Sequence, residues 1–355
     1  MMAGSSGGAG RPRRAHAGKR YLRCALGAMS AALLFEIALR PFVEDSTSAG
    51  PPTVRTIRSY FEGVSVSHFE PDGLGPFGNR LTGNPLLPAA PEGLIIGDSH
   101  IVAFAVHDQE TMGAVVERLS RASDHPLNVR QYGWTGANAP AFIASASALV
   151  RARNPAWAAV LLNSYNLGVN AVIRPSGEMS QMAPDGSFHY APYRQNYLPR
   201  TLLAWGRKSV LALALRRRIG LIQDRLAIEK TAAQTASEER APKVAEEVAR
   251  VPRATVTGLK QAYGARLIIV YAPAEPSTSV EPIETELARL CADEDVSFLS
   301  VREALLRDRN EHFRFSRGFH NTAPGVGHFN VIGHRIIGAE LWRYLDARSP
   351  SSLPR

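Results

Sequence analysis

Hydrophobic and polar residues follow one another along the chain in a pattern that predicts alternating strands and helices. Short apolar runs rich in β-branched residues and closed by Gly, Pro or polar residues are typical of buried strands. Five segments fit this description, at residues 94–96, in the opening of 127–140, and at 158–162, 267–271 and 296–299. The stretch 158–162 leads into Asn163 and Ser164, and the stretch 267–271 leads into Ala272 and Pro273, as expected where a strand ends.

Apolar residues at helical spacing separate these strands. They lie at residues 109–121, 141–153, around Leu287 and Leu290, and from about 334 to 347. Strands that alternate with helices at this pitch predict a parallel sheet with right-handed crossovers. We therefore expect an α/β fold with a central parallel sheet of about five strands.

The N-terminal region has a different composition. Residues 1–20 are rich in Gly, Ser and Arg and predict a disordered basic tail, and residues 21–42 form an apolar segment that Glu36 interrupts. No small-x-small cleavage site lies just after this segment, which favours an uncleaved signal anchor over a cleaved signal peptide or a buried helix. The basic flank should stay in the cytoplasm. The expectation is a single-pass inner-membrane protein with its main domain, residues 92–347, in the periplasm.

Two segments outside the strand and helix pattern remain. Residues 43–91 are rich in Pro and Gly and predict a linker and entry segment. Residues 172–252 are predicted to form a helical insertion, whose part 201–230 is basic and amphipathic. Such a helix either lies on an anionic membrane surface or packs on its own domain with a solvated basic face, and we favour the second interpretation.

Charge and cysteine content exclude some classes of function. Of the net charge of +9, six positive charges come from the first 23 residues, which contain no acid, so +3 remains for the other residues. A basic tail of this kind gives little support for a nucleic-acid-binding domain. Cys24 and Cys291 are the two cysteines of the chain, and no His or Cys spacing suggests a zinc site. We predict neither a metal site nor a cofactor.

The best candidate for chemistry follows the first predicted strand. Ser99 lies in Gly97-Asp98-Ser99-His100, directly after the apolar run 94–96. In open α/β sheets ligands bind at the carboxyl ends of the strands, so a hydroxyl there is well placed for a nucleophile. Gly97 allows a sharp turn, and the backbone N–H groups after it are available to an oxyanion. Alternatively, Asp98 and Ser99 only cap a turn.

An activated serine also needs a base and oxyanion donors. The base candidate is His328, on a Gly-rich loop before the last helix, with His320 and His334 as competitors. The donor candidates are the backbone N–H of Gly136 and the amide side chain of Asn166. Asn163 is an alternative donor.

Four short motifs in this order resemble those of the SGNH (GDSL) hydrolase family. They are GDSH at Ser99, YGWTGAN at Gly136, NSYNL at Asn166 and GHFNVIGH at His328, and together they span about residues 92–345 without the insertion. The resemblance implies a flavodoxin-like three-layer α/β/α fold and ester hydrolysis or acyl transfer without a cofactor. It also implies that Ser99 is the nucleophile, that His328 is the base, and that Ser99 N–H, Gly136 N–H and Asn166 form the oxyanion hole.

The chain departs from the family pattern before the base. The family usually has an Asp two or three residues before the His, where this chain has Val326 and Gly325. Three alternatives follow: a Ser99–His328 dyad whose ring is held by a backbone carbonyl, an acid from elsewhere such as Asp308 or Glu311, or a fold that has lost its activity.

Two functions follow from these motifs. The first is an envelope esterase or O-acyltransferase acting on small esters or acylated glycans. The second is a non-catalytic protein that binds or assembles envelope components with the same cleft. The sequence does not decide the oligomeric state.

Overall fold

The computed structural model describes residues 27–28, 30–34, 54–59, 65–168, 181–182, 188–189, 241–274, 277–320 and 322–348. Within these residues, eight strands form one mixed sheet. The strands are β1 (Arg55–Ser59), β2 (Ser65–Glu70), β3 (Asn79–Arg80), β4 (Glu92–Gly97), β5 (Asn128–Gly133), β6 (Trp157–Leu162), β7 (Leu267–Tyr271) and β8 (Ser297–Ser300). Two further strands, Gln181–Met182 and Phe188–His189, pair antiparallel by themselves.

Helices lie between the strands, and four of them occupy positions that the sequence pattern predicts, with shifts of a few residues at their ends. They are α1 (Ser99–Val102), α2 (Met112–Arg121), α3 (Ala139–Arg153), α4 (Ser164–Leu167), α5 (Ala241–Tyr263), α6 (Pro282–Asp293), α7 (Arg302–His312) and α8 (Val331–Ala347). Helix α7 was not predicted. It buries only Arg302 and Leu305, so its sequence has almost no apolar stripe.

The five strands β4 to β8 run parallel, in the spatial order β5-β4-β6-β7-β8. Numbered along the chain, this order is 2-1-3-4-5, which is the flavodoxin-like order. The chain leaves β4 toward one edge of the sheet and later continues on the other side of β4, next to β6. The carboxyl ends of β4 and β6 therefore form the switch point, where ligands bind in open α/β sheets. The predicted α/β class and five-stranded parallel core are confirmed.

Two hydrophobic cores cover the two faces of the sheet. On β4, Leu94 and Ile96 face one core and Ile95 faces the other, as expected for a period of two. The first core contains residues of α3, α5 and α6, for example Phe142 and Leu259. The second contains residues of α2, α7 and α8. The molecule therefore has the predicted three layers, α/β/α.

The segment predicted as a linker, residues 43–91, contains three antiparallel strands that extend the sheet beyond β5. Strand β2 was missed because two of its inward positions, Ser65 and Ser67, are polar residues. Both hydroxyls donate to the carbonyl of Phe104, which compensates their burial.

Several predictions on the N-terminal and central regions fall largely outside the described residues. These concern the tail 1–20, most of the apolar segment 21–42, and most of the insertion, including its basic part 201–230. Residues 30–34 are helical. In the part of the chain that the structure describes, no helix is both long and apolar enough to cross a bilayer.

Two glycines let α1 lie against the ends of β4 and β5. Gly97 and Gly133 are partners in the register of these strands. A Cβ atom on Gly133 would lie 2.4 Å from the backbone nitrogen of Val102 and 3.0 Å from the carbonyl oxygen of Asp98. Since both atoms belong to the turn that carries Ser99, the absence of a side chain at Gly133 sets the position of this turn.

We expect Gly133→Ala to lower the free energy of unfolding by about 3 kcal/mol, because the added methyl group has to displace backbone atoms. The control is Gly264→Ala, where φ is +61° and a Cβ would meet open space. This control should cost only the left-handed backbone penalty of about 1 kcal/mol. Urea denaturation of both variants measures the difference. Equal stability of the two variants would contradict the steric argument.

Candidate active site

Ser99 is the first residue of the short helix α1, directly beyond the carboxyl end of β4. Asp98 caps this helix, because its Oδ1 accepts the N–H of His100 at 2.9 Å. The first N–H groups of a helix have no acceptor within the helix. Ser99 is partly exposed, whereas Asp98 and His100 on either side are buried. The fold thus presents the hydroxyl to solvent on a fixed turn.

His328 reaches the same place from the far end of the chain. It lies on the loop before α8, and two backbone hydrogen bonds pair this loop with residues 316–318. The N–H of Gly318 donates to the carbonyl of His328 at 3.1 Å, and the N–H of Asn330 donates to the carbonyl of Ser316 at 3.0 Å. The Asn330 side chain caps α8 and donates to the carbonyl of Gly318. The loop is therefore held on both sides of His328.

The Nε2 atom of His328 lies 2.7 Å from Oγ of Ser99. This distance is that of a hydrogen bond between a hydroxyl and an imidazole nitrogen. The two residues are separated by 229 positions in the sequence. With Nε2 unprotonated, the arrangement can remove the proton of the Ser99 hydroxyl as the oxygen attacks an electrophile.

The carboxylate of Asp98 joins the turn that carries Ser99 to the turn that follows β6. Its Oδ2 accepts N–H groups from Asn166 at 3.1 Å and from Asn163 at 3.3 Å. Asp98 is 4% exposed, so these donors and the N–H of His100 replace water around a buried carboxylate. Its role as a link between the nucleophile turn and the end of β6 was not predicted from the sequence, which suggested only a cap.

The two candidate amides differ in how their N–H groups are used. Asn166 is fully buried, and its Nδ2 donates to both Asp98 Oδ2 and the carbonyl of Ala137, at 3.1 and 3.0 Å. An amide nitrogen has two protons, so both protons of Asn166 are used inside the protein. Asn163 follows β6 directly and donates one N–H to Asp98. Asn163 also accepts the N–H of Asn166 in a reciprocal capping box.

Gly136 lies in the turn between β5 and α3, with φ of +72°. A Cβ there would meet nothing within 4 Å, so the turn needs Gly for its backbone conformation and leaves open space beside it. The bond from Asn166 to the carbonyl of Ala137 ties this turn to Asp98. The structure thus links the four predicted segments around Ser99, Gly136, Asn163 with Asn166, and His328.

The competing bases and acids lie elsewhere. His334 is 1% exposed, its Nδ1 accepts the N–H of Met112, and burial lowers its pKa to about 3. His320 is exposed. Asp308 forms an ion pair with Arg314, and Glu311 is exposed on α7.

Two buried residues next to Ser99 and His328 were not predicted. His100 follows the nucleophile, and the N–H of Phe329 points to its Nδ1 at 3.2 Å. Arg317 is 6% exposed and donates to the carbonyl of Gly327 at 3.0 Å. A charged residue in a Gly-rich loop gives no sequence signal for burial, because such residues are almost always exposed.

Comparison with known proteins gives distant structural similarities. No protein-family profile and no curated protein matches the chain. A two-domain esterase active on acetylated mannans, crystallised with mannopentaose, has 10% identity and a TM-score of 0.41, over 75% of this chain and 51% of that chain. The chain therefore spans about half the length of that esterase.

Two further solved structures have similar values. A catalytic mutant of an acetylxylan esterase from Geobacillus stearothermophilus has 13% identity and a TM-score of 0.39, over 72% of this chain and 94% of that chain. A family 3 carbohydrate esterase from Clostridium thermocellum has 11% identity and a TM-score of 0.39, over 75% and 100% of the two chains. The flavodoxin-like fold of this chain follows from its own strand order, 2-1-3-4-5.

Proposed function

We propose that the chain is a serine esterase or O-acyltransferase of SGNH type. The observation that carries the proposal is the 2.7 Å contact between Ser99 Oγ and His328 Nε2 at the switch point of the sheet. A serine hydroxyl becomes an effective nucleophile when a base takes its proton, and acyl transfer is the reaction such a pair performs. The motif resemblance around both residues supports the same reaction.

The proposed first half-reaction forms an acyl-enzyme. Ser99 Oγ attacks the carbonyl carbon of an ester, and its proton passes to His328 Nε2. The carbonyl oxygen becomes an oxyanion. When the tetrahedral intermediate collapses, the bond to the alcohol breaks and the alcohol leaves with the proton from His328. In the second half-reaction, water or an acceptor hydroxyl attacks the acyl carbon and gives its proton to His328 Nε2. The bond between the acyl carbon and Ser99 Oγ then breaks, and His328 returns the proton to Ser99.

The proposed oxyanion donors are the N–H groups of Ser99 and Gly136 and one side-chain amide. We assign the amide role to Asn163 instead of Asn166, because both protons of Asn166 are directed to Asp98 and Ala137. Asn163 donates a side-chain N–H to Asp98 and directly follows the strand next to β4. Donors of this type lower the barrier because they are fixed where negative charge develops.

The proposed substrate is an ester-linked acyl group, such as acetyl, on a cell-envelope glycan. This part rests on the apolar segment 21–42 after a basic tail, which supports an anchor with the domain on the periplasmic side. Hydrolysis and transfer differ only in the acceptor that attacks the acyl-enzyme.

A fluorophosphonate probe tests the proposal, because it reacts with serines that a base activates. We expect labelling of the folded domain at Ser99, located by peptide mass spectrometry, and slower labelling of His328→Ala by about 10³-fold or more. Heat-denatured protein is the control for non-specific reaction. Folded protein that stays unlabelled would contradict the esterase proposal and favour a binding protein that uses the same cleft.

A further inference from the structure

A buried arginine lies between the nucleophile turn and the loop that carries His328. The Arg317 guanidinium donates to the carbonyl of Gly327 and to the carbonyl of Pro273, each at 3.0 Å. Its Cζ lies 3.9 Å from the centroid of the Phe329 ring. Arg317 therefore contacts the residues on both sides of His328 and links their loop to the segment that follows β7.

A second path runs through His100. Nη1 of Arg317 lies 3.1 Å from Nε2 of His100, and the N–H of Phe329 points to Nδ1 of the same ring. A neutral imidazole accepts at one nitrogen only, so the two donors compete for one acceptor. Both donors come from the same loop, and His100 is covalently joined to Ser99. The nucleophile turn and the base loop thus share one buried ring.

The electrostatic surroundings keep His100 neutral and Arg317 positively charged. Burial and the positive charge of Arg317 lower the pKa of His100 well below its usual value, so the ring is neutral near pH 7. Burial lowers the pKa of Arg317 to about 10, and the carboxylates of Asp98 and Glu281 oppose this shift. Arg317 therefore stays charged where esterases are assayed, and its bonds to the carbonyls are charge-assisted.

We propose that Arg317 is a positioning residue that sets the distance between His328 and Ser99 by holding the backbone on both sides of the base. The inference rests on the proposed function for its kinetic part. Where the resembled family carries an Asp before the base, this chain has Gly325 and Val326. In this chain the guanidinium of Arg317 holds the backbone of the loop that carries His328. Its planar group can donate to several acceptors at once.

The test compares Arg317→Gln and Arg317→Lys with wild type, using p-nitrophenyl acetate. A misplacement of about 1 Å in a catalytic group costs about 10²-fold in rate. We expect Arg317→Gln to lower kcat by about 10²-fold with KM within about threefold, because substrate contacts are unchanged. The kcat of Arg317→Lys should lie between those of wild type and Arg317→Gln, because an ammonium group keeps the charge but cannot donate to several acceptors in the planar geometry of a guanidinium. The matched control is Arg314→Gln on the same segment, which should keep wild-type kcat.

A second measurement does not depend on activity. Exchange of the Phe329 amide hydrogen, followed by NMR, should become faster in Arg317→Gln, while core amides such as that of Ile269 keep their protection. Selective loss of protection together with the drop in kcat supports positioning. If kcat stays within threefold of wild type, or if all amides lose protection equally, positioning by Arg317 is ruled out.

The two measurements also separate the two proposals. If folded wild type neither reacts with the probe nor hydrolyses the ester, the esterase proposal fails. The exchange of the Phe329 amide then decides alone whether Arg317 holds the loop. If Arg317→Gln does not fold, Arg317→Lys carries the same comparison.

Discussion

Replacing Ser99 by Ala is expected to lower ester turnover by about 10⁴-fold or more, because it removes the nucleophile and leaves only binding and oxyanion donors. The Ser99 hydroxyl is partly exposed and its described hydrogen bond is the contact with His328, so the fold should tolerate its loss. Initial rates with p-nitrophenyl acetate measure the activity, and urea denaturation measures the stability.

Ser164→Ala provides a matched control for Ser99→Ala. Ser164 is the first residue of α4, at the end of the strand next to β4, and is also partly exposed. We expect this variant to keep wild-type turnover. His328→Ala should lose activity on the same scale as Ser99→Ala, and the double variant should lose little more, since the two residues act as a unit. If Ser99→Ala keeps a tenth of the wild-type activity or more, Ser99 is not the nucleophile.

The second large effect is expected at Asn163. Asn163→Ser keeps a side-chain oxygen at the cap of α4 but removes the amide donor. We expect kcat to fall by about 10²- to 10³-fold, as for the loss of one oxyanion donor, with a small change in KM. The free energy of unfolding should fall by about 1 kcal/mol, because one donor to the buried Asp98 carboxylate is lost while the cap is kept.

Asn166→Ser is the comparison that separates the two amides. It removes donors to the buried Asp98 carboxylate and to the Ala137 carbonyl, so stability should fall by about 1–3 kcal/mol. Its kcat should fall less than that of Asn163→Ser. The reverse order of the two kcat values would assign the donor role to Asn166, as the motif resemblance implies.

Local sequence signals sufficed where burial and secondary structure agree along a short segment. The strand before Ser99 contains an apolar run closed by Gly and Asp, and its residues 93–97 are buried. Strand β7 agrees with its predicted bounds for the same reason. Strand β2 was missed because its buried positions Ser65 and Ser67 are polar. Helix α7 was missed because most of its residues are charged or polar, so it shows no apolar periodicity.

The site shows the same division. Ser99, Gly136 and His328 follow from local motifs, because each occupies a turn with a recognisable composition. The local motif does not decide between Asn163 and Asn166 as the oxyanion donor, because both residues lie in the same turn. Their different hydrogen-bond partners, Asp98 and Ala137, belong to other loops that the fold brings to this turn.

The sequence by itself determined the five parallel strands and most of the longer helices between them, the α/β class and the candidate nucleophile and base, because these depend on periodicity and composition within short windows. Only the tertiary structure decided the strand order 2-1-3-4-5 and the 2.7 Å contact between Ser99 Oγ and His328 Nε2, which are 229 positions apart. It also decided the burial of Arg317 beside these two residues. These features depend on contacts between segments far apart in the chain, and no local pattern of hydrophobic and polar residues encodes them.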